Sequence, residues 1–261
     1  MLDRDTIEAI AEELAIADRE HTVIPRITAR YPDAGIEDAY AIQKVWRDRN
    51  LAAGRRLVGR KIGLTSKAMQ QATGISEPDY GVMFDDTVVD SGAEIRVDDF
   101  SNVRIEVELA FVLKDALEGP NCTLENVLRA TDYVVPALEV LNSHIELDGR
   151  TIVDTISDNA AYGAMVLGFV HKTPGEIDLR WIPGLLFKNG EIEETGVAAG
   201  VLNHPANGVA WLANKLHQHG ARLEAGEIIL AGSFTRPMWV GRGDDILCDY
   251  GPMGTITCRF I

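Results

Sequence analysis

The chain has 261 residues, 46% of them hydrophobic and 25% charged, proportions that suit one large folded unit with room for a substantial core. Its formal net charge of -15 argues against nucleic acid and anionic membrane surfaces as partners. An anionic small molecule stays open as a ligand, because a bound divalent cation reverses the local field.

The first twenty residues are rich in acids and lack the apolar stretch of a signal peptide, so no targeting segment is expected there. Ile7, Ile10, Ala11 and Leu14 recur at helical spacing behind Asp5, which reads as an N-cap with Glu8 three residues on. After a connector marked by Pro25 and Pro32, a second helix is expected over 36–53, with Tyr40 and Trp46 on it and Gly54 as its stop. Residues 1–54 thus read as a helical N-terminal region, and 55–261 as a β-rich catalytic core forming one functional unit with it. In that second part, 57–64 reads as a strand and 66–73 as a short helix. Strands follow at 104–113 and 133–141, and Asn189-Gly190 marks a tight hairpin. A late helix places Val209, Leu212, Ala213 and Leu216 on one face and closes at Gly220, and two strands end the chain. The class is α+β. Cys122, Cys248 and Cys258 form neither a zinc pattern nor a disulfide framework, and the expected compartment is a reducing cytoplasm.

The strand "RIEVELAFVL" carries the chemical question. Ile105, Val107, Leu109, Phe111 and Leu113 share one apolar face, while Glu106 and Glu108 share the other with Ala110 and Val112. Two carboxylates about 7 Å apart in a dry strand either keep protons or hold a cation. The alternative is a strand end that emerges into solvent or pairs with Arg104. Glu139, in the apolar run "YVVPALEVL", adds a third acid without His or Cys companions, a set suited to Mg²⁺ or Mn²⁺.

Lys61, between Gly59 and Gly63 with apolar neighbours, is expected to have a lowered pKa and to serve acid–base chemistry or bind a carboxylate; a snorkelling strand lysine is the alternative. Asp79 and Tyr80 sit in what reads as a turn after Pro78, where aspartate commonly shapes the backbone. Ser233 and Thr235 offer hydroxyls to a substrate carboxylate or belong to a plain loop. Asp154, Asp158 and Asn159 could shape a pocket loop or ordinary turns. His217 and His219 point apart, and His144 and His204 read as structural or exposed. No phosphate-binding loop, nucleophile elbow or dinucleotide fingerprint is present.

Taken together, "GRKIGLTSKAMQQ", "EPDYG", "RIEVELAFVL", "ATDYVVPALEVL", "DTISDNAA", "GVLNHPANGVAWLANKL" and "ILAGSFTRP" resemble the hydratase/decarboxylase family of aromatic meta-cleavage pathways. The resemblance implies a mixed β-roll like the C-terminal domain of fumarylacetoacetate hydrolase, usually assembled into homo-oligomers. It implies Mg²⁺ or Mn²⁺ held by Glu106, Glu108 and Glu139, with Lys61 and Asp79 matching the family's lysine and acid. It further implies a 2-hydroxy-dienoic or 2-oxo-enoic acid as substrate and hydration as the reaction, the alternatives being decarboxylation of 4-oxalocrotonate, hydration of 2-hydroxypenta-2,4-dienoate or a non-catalytic partner subunit, and a complex with a sister decarboxylase is compatible with it. Relatives commonly carry "IDAR" or "IDSR" where this chain has Asn142 and His144, so no role is carried to those two positions.

Overall fold

The computed structural model describes residues 1–67, 70–71 and 77–261; the short helix expected over 66–73 takes in residues outside this set. Helix α1 (Arg4–Glu20) has its cap two residues before the expected one. Asp3 is the cap, accepting the Thr6 amide at 2.7 Å, while Asp5 lies in the first turn, where its charge complements the helix dipole. The connector contains a one-turn helix, α2 (Ile27–Arg30), that the proline-marked reading missed. Its Thr28 amide and hydroxyl both donate to Asp154, at 2.9 and 2.7 Å. Helix α3 (Ile36–Ala52) matches its expected span. Ile10, Leu14, Ile27, Ile42 and Ile145 form a separate apolar cluster beneath these helices.

Thirteen strands follow among the described residues. The large sheet contains β1 (Leu57–Gly63), β2 (Asp79–Phe84), β3 (Val88–Asp90), β5 (Arg104–Leu113), β6 (Thr131–Leu141), β7 (Tyr162–Leu167) and β10 (Ile228–Leu230). Its order is β2-β1-β10-β5-β6-β7-β3, and β11 (Met238–Trp239) also pairs with β5. The second sheet runs β4 (Ala93–Ile95), β13 (Thr255–Phe260), β12 (Asp245–Asp249), β8 (Pro183–Lys188), β9 (Glu191–Val197). Asn189 and Gly190, at φ of 55° and 88°, make the expected two-residue hairpin between β8 and β9. Parallel and antiparallel pairings mix in both sheets, as the α+β reading requires.

Three further helices lie among the described residues: α4 (Leu124–Ala130), α5 (Ile152–Ser157) and α6 (Pro205–His217). His204 caps α6, its Nδ1 accepting the Ala206 amide at 3.0 Å. The main core lies between the apolar face of β5, the buried face of α6 and the inner residues of the second sheet, Ile246, Cys248, Ile256 and Phe260. A smaller cluster covers the opposite face of the large sheet, built from Met83, Ala110, Val135, Ala137, Tyr162, Met165 and Leu230. The sheet is therefore buried on both sides. All three cysteines are free and buried, and no helix among the described residues is long and apolar enough to cross a membrane.

Candidate functional site

The pairing of β5 with β6 sets Glu106 directly opposite Glu139, and strand alternation puts Glu108 on the same face. One oxygen from each of the three lies within 4.8 Å of the others. Glu108 and Glu139 have no exposure, whereas Glu106 keeps some and forms the open side. Glu108 and Glu139 therefore do not belong to a solvent-facing strand end. Glu108 Oε2 accepts the Gly232 amide at 2.8 Å, while Glu108 Oε1 and Glu139 Oε2 accept nothing. Buried carboxylate oxygens without donors suit a hard cation, and the three residues fit Mg²⁺ or Mn²⁺.

Across β10, the register carries the same face to Lys61 of β1, which is 3% exposed and places Nζ 3.2 Å from Glu139 Oε1. Asp79 opens β2 opposite Gly63 and is 1% exposed, so it is a buried strand residue and not the turn residue expected. The pairing of β2 with β1 pulls it inside, an effect invisible from the local Pro-Asp-Tyr-Gly chemistry. A side chain at Gly63 would stand 2.2 Å from Asp79 Oδ1 and 3.3 Å from Lys61 Nζ, so the glycine is what lets the two groups face each other.

Charge and burial compete here. Burial, then the neighbouring Glu139, pushes Glu106 up to about 7. Burial raises Glu108 well above the ordinary range, with Glu139 and Glu106 adding to it. Burial also raises Glu139 and Asp79, against the opposing charge of Lys61. For Lys61, burial works to lower the pKa as the sequence suggested, but the charges of Glu139, Asp79, Glu106 and Glu108 outweigh it and hold the ammonium above its usual value. Lys61 is a charged lysine among acids.

Ser233 and Thr235 serve the strand. Ser233 Oγ donates to the Val107 carbonyl at 3.3 Å, and Thr235 Oγ1 accepts the Val107 amide at 3.2 Å, tying down the residue between the two glutamates. Together with the Phe234 amide, which donates to the same Val107 carbonyl at 3.1 Å, they fill the ladder that β10 and β11 leave open at this point. Asn159 clamps β2, its amide exchanging two hydrogen bonds with Val82 at 2.8 and 2.9 Å. Asp158 engages His144 Nδ1 at 2.8 Å, so both belong to the framework. His217 and His219 lie outside the acid cluster.

Gly232 and Thr65 escaped the sequence reading, and Arg104 entered it only as a possible ion-pair partner of the strand glutamates. Gly232, at φ 116°, supplies the amide to Glu108. Thr65 is buried with an unpaired hydroxyl, against which a side chain at Gly232 would stand 2.2 Å away. Arg104 is buried on the glutamate face, its pKa lowered to about 10 by burial and then by Arg150. Only Arg104 left a sequence signal, its even spacing with Glu106 and Glu108.

No family model matches the chain. It is 54% identical to 2-oxo-hept-4-ene-1,7-dioate hydratase of Escherichia coli over 267 aligned residues, covering 100% of both chains. The structure of 4-oxalocrotonate decarboxylase from Pseudomonas putida G7, complexed with magnesium and adipate, superposes with a TM-score of 0.97 at 35% identity, covering 100% of this chain and 99% of that one. Fumarylpyruvate hydrolase from Pseudomonas aeruginosa, in complex with Mn²⁺ and pyruvate, matches at TM-score 0.64 and 17% identity, over 79% of this chain and 89% of that one, and shares the fold. With full-length identity above half and the acid cluster in place, the chain belongs to the hydratase/decarboxylase family of meta-cleavage pathways, on the fumarylacetoacetate hydrolase-like fold.

Proposed function

We propose that the protein is a metal-dependent hydro-lyase. It takes a 2-hydroxy-dienoate through its 2-oxo-enoate form and adds water to give a 4-hydroxy-2-oxo acid. Its substrate is 2-oxohept-4-ene-1,7-dioate, of 4-hydroxyphenylacetate (homoprotocatechuate) catabolism. The observation that carries this reading is the buried cluster of Glu106, Glu108 and Glu139 beside Lys61 and Asp79. Full-length likeness to the Escherichia coli hydratase supports the choice of substrate.

Glu106, Glu108 and Glu139 are the residues that would hold Mg²⁺ or Mn²⁺. When bound, the ion supplies a Lewis acid that draws electron density from the 2-oxo acid. Lys61 offers a positive N–H donor to the oxygen on which enolate charge develops, and its burial strengthens that interaction. Asp79, pushed towards its protonated form, stands across Gly63 from Lys61. These two side chains move the protons that enolisation, reprotonation and water addition require. Ser233 and Thr235, which border an open cavity, offer their hydroxyls to a substrate carboxylate while they also brace the strand of Glu106 and Glu108.

The same reading places the enzyme in the cytoplasm as a homo-oligomer that can associate with a sister decarboxylase. Exposed Phe169, Trp181 and Trp239 supply apolar surface for such contacts, and light scattering of the purified protein tests it.

The activity is tested by incubating the protein with Mg²⁺ and the seven-carbon hydroxydienedioate, following loss of dienol absorbance and identifying the product. A 4-hydroxy-2-oxo diacid is the expected result. Carbon dioxide release from 4-oxalocrotonate in its place would reassign the protein to the decarboxylases, and turnover of neither would overturn the proposal.

A further inference from the structure

A dioate has two carboxylates, and the acid cluster with Lys61 accounts for the one beside the 2-oxo group. Arg104 accounts for the other. It opens β5 on the face shared by Glu106 and Glu108, roughly 7 Å along the strand from Glu106, a spacing comparable with an extended seven-carbon chain. It is 8% exposed, yet its Nη2 donates to nothing; only Nε is used, reaching the Asn102 carbonyl at 3.3 Å. A buried guanidinium nitrogen without an acceptor is costly, and a carboxylate with two oxygens offsets that cost in the geometry arginine favours.

A second guanidinium belongs to the same network. Asn102 Nδ2 donates to the Ser143 carbonyl at 3.3 Å, and Arg150 Nη1 donates to Ser143 Oγ at 2.7 Å. Both guanidiniums are hydrogen-bonded by neutral groups, and although the charges of Glu106, Glu139 and Asp158 act on Arg104, none of the three forms an ion pair with it, which leaves its fork open to an incoming carboxylate. Trp239, opposite Arg104 in the β11 pairing, sets its ring 5.3 Å from the guanidinium carbon while remaining 54% exposed. An aromatic wall of this kind suits the hydrocarbon segment between two carboxylates.

We propose that Arg104, with Arg150 beside it, binds the second carboxylate of the substrate and makes the enzyme selective for dioates over monoacids. This rests on the hydratase reading above.

The test uses two saturated analogues that differ only at the far end, 2-oxoheptane-1,7-dioate and 2-oxoheptanoate, titrated calorimetrically into the Mg²⁺-loaded protein. Wild type should bind the diacid at least about tenfold more tightly. R104M should abolish that preference while leaving the monoacid Kd within about threefold, and R104K should restore part of it, since an ammonium lacks the two-pronged fork. R150M should reduce the preference by about threefold, and it decides the matter if R104M does not fold. A wild type without preference, or variants that weaken both analogues equally, overturns the assignment. Wild type binding neither analogue is a different result, and it counts against the hydratase reading itself.

Discussion

Replacing Glu108 by Gln removes one of three clustered ionisable carboxyls while preserving the shape of the side chain and its acceptor for the Gly232 amide. The three ligand oxygens lie within 4.8 Å of one another, and two unit charges at that separation repel by about 3.5 kcal/mol at an effective dielectric near 20. Protonation already relieves part of this, because burial raises Glu108 well above the carboxylate range and Glu106 to about 7. E108Q is therefore expected to stabilise the metal-free protein by about 1–3 kcal/mol, a rise in Tm of roughly 2–8 °C for a chain of this size. Saturating Mg²⁺ should then invert the order. Ligand at about 100 times its Kd adds about 2.7 kcal/mol to wild type, while E108Q gains little. Thermal melts in chelator and in Mg²⁺ read both effects. E108Q melting below wild type in chelator, or gaining as much as wild type from Mg²⁺, would refute the electrostatic reasoning.

Raised carboxyl pKa values mean that the metal-free folded state binds more protons than the unfolded chain between the ordinary value of 4.5 and about 7. This stabilisation is present below that range and lost as pH rises through about 7, so melts in chelator should fall between about pH 5 and pH 8, and a Tm that climbs over this interval refutes the sign. K61M should lower kcat by about 10²–10⁴-fold without weakening Mg²⁺ binding, measured by calorimetry; a loss of metal affinity would make Lys61 structural. In G63A the added methyl would stand 2.2 Å from Asp79 Oδ1, and we expect kcat to drop by about 10²-fold together with a stability loss of about 1–3 kcal/mol from overpacking. N159A removes both bonds to Val82 and should cost about 2–4 kcal/mol in chemical denaturation, β2 being buried along its whole length.

The acid cluster was legible because it depends on a local rule. Alternation alone assigns Glu106 and Glu108 to one face, and a third acid in an apolar run of comparable length reads as a neighbour. Asp79 was found by type and misplaced by context, since a Pro-Asp-Tyr-Gly sequence carries turn chemistry whether or not a sheet claims it. Gly232 and Glu108 are 124 positions apart, and Asn159 and Val82 are 77 apart. The first contact follows from the sheet order β1-β10-β5, which inserts a late strand between two early ones, and the second from the turn after α5 packing on β2; neither leaves a local trace. The pKa of Lys61 failed for a related reason: a dry surround predicts a lowered value, but four acids from three strands reverse it.

Stability and site geometry answer to the same register. Were β6 to slip by one residue against β5, Glu139 would turn from the acid face into the main core, and Leu138 would take its place beside Glu106. A lone carboxylate among Val107, Leu109 and Phe111 would cost several kcal/mol, so the core on one side enforces the cluster on the other. The gap in the β5 ladder near Val107 is the weak point of this scheme, and it is where the Phe234 amide and the Ser233 and Thr235 hydroxyls supply hydrogen bonds in place of a strand. Gly232, one residue earlier, sets the rotamer of Glu108 from the same loop. The segment that reads as a serine- and threonine-rich surface loop is thus the brace that holds two of the three ligands, and Tyr250, whose hydroxyl donates to the Ala137 carbonyl, steadies the strand that carries the third.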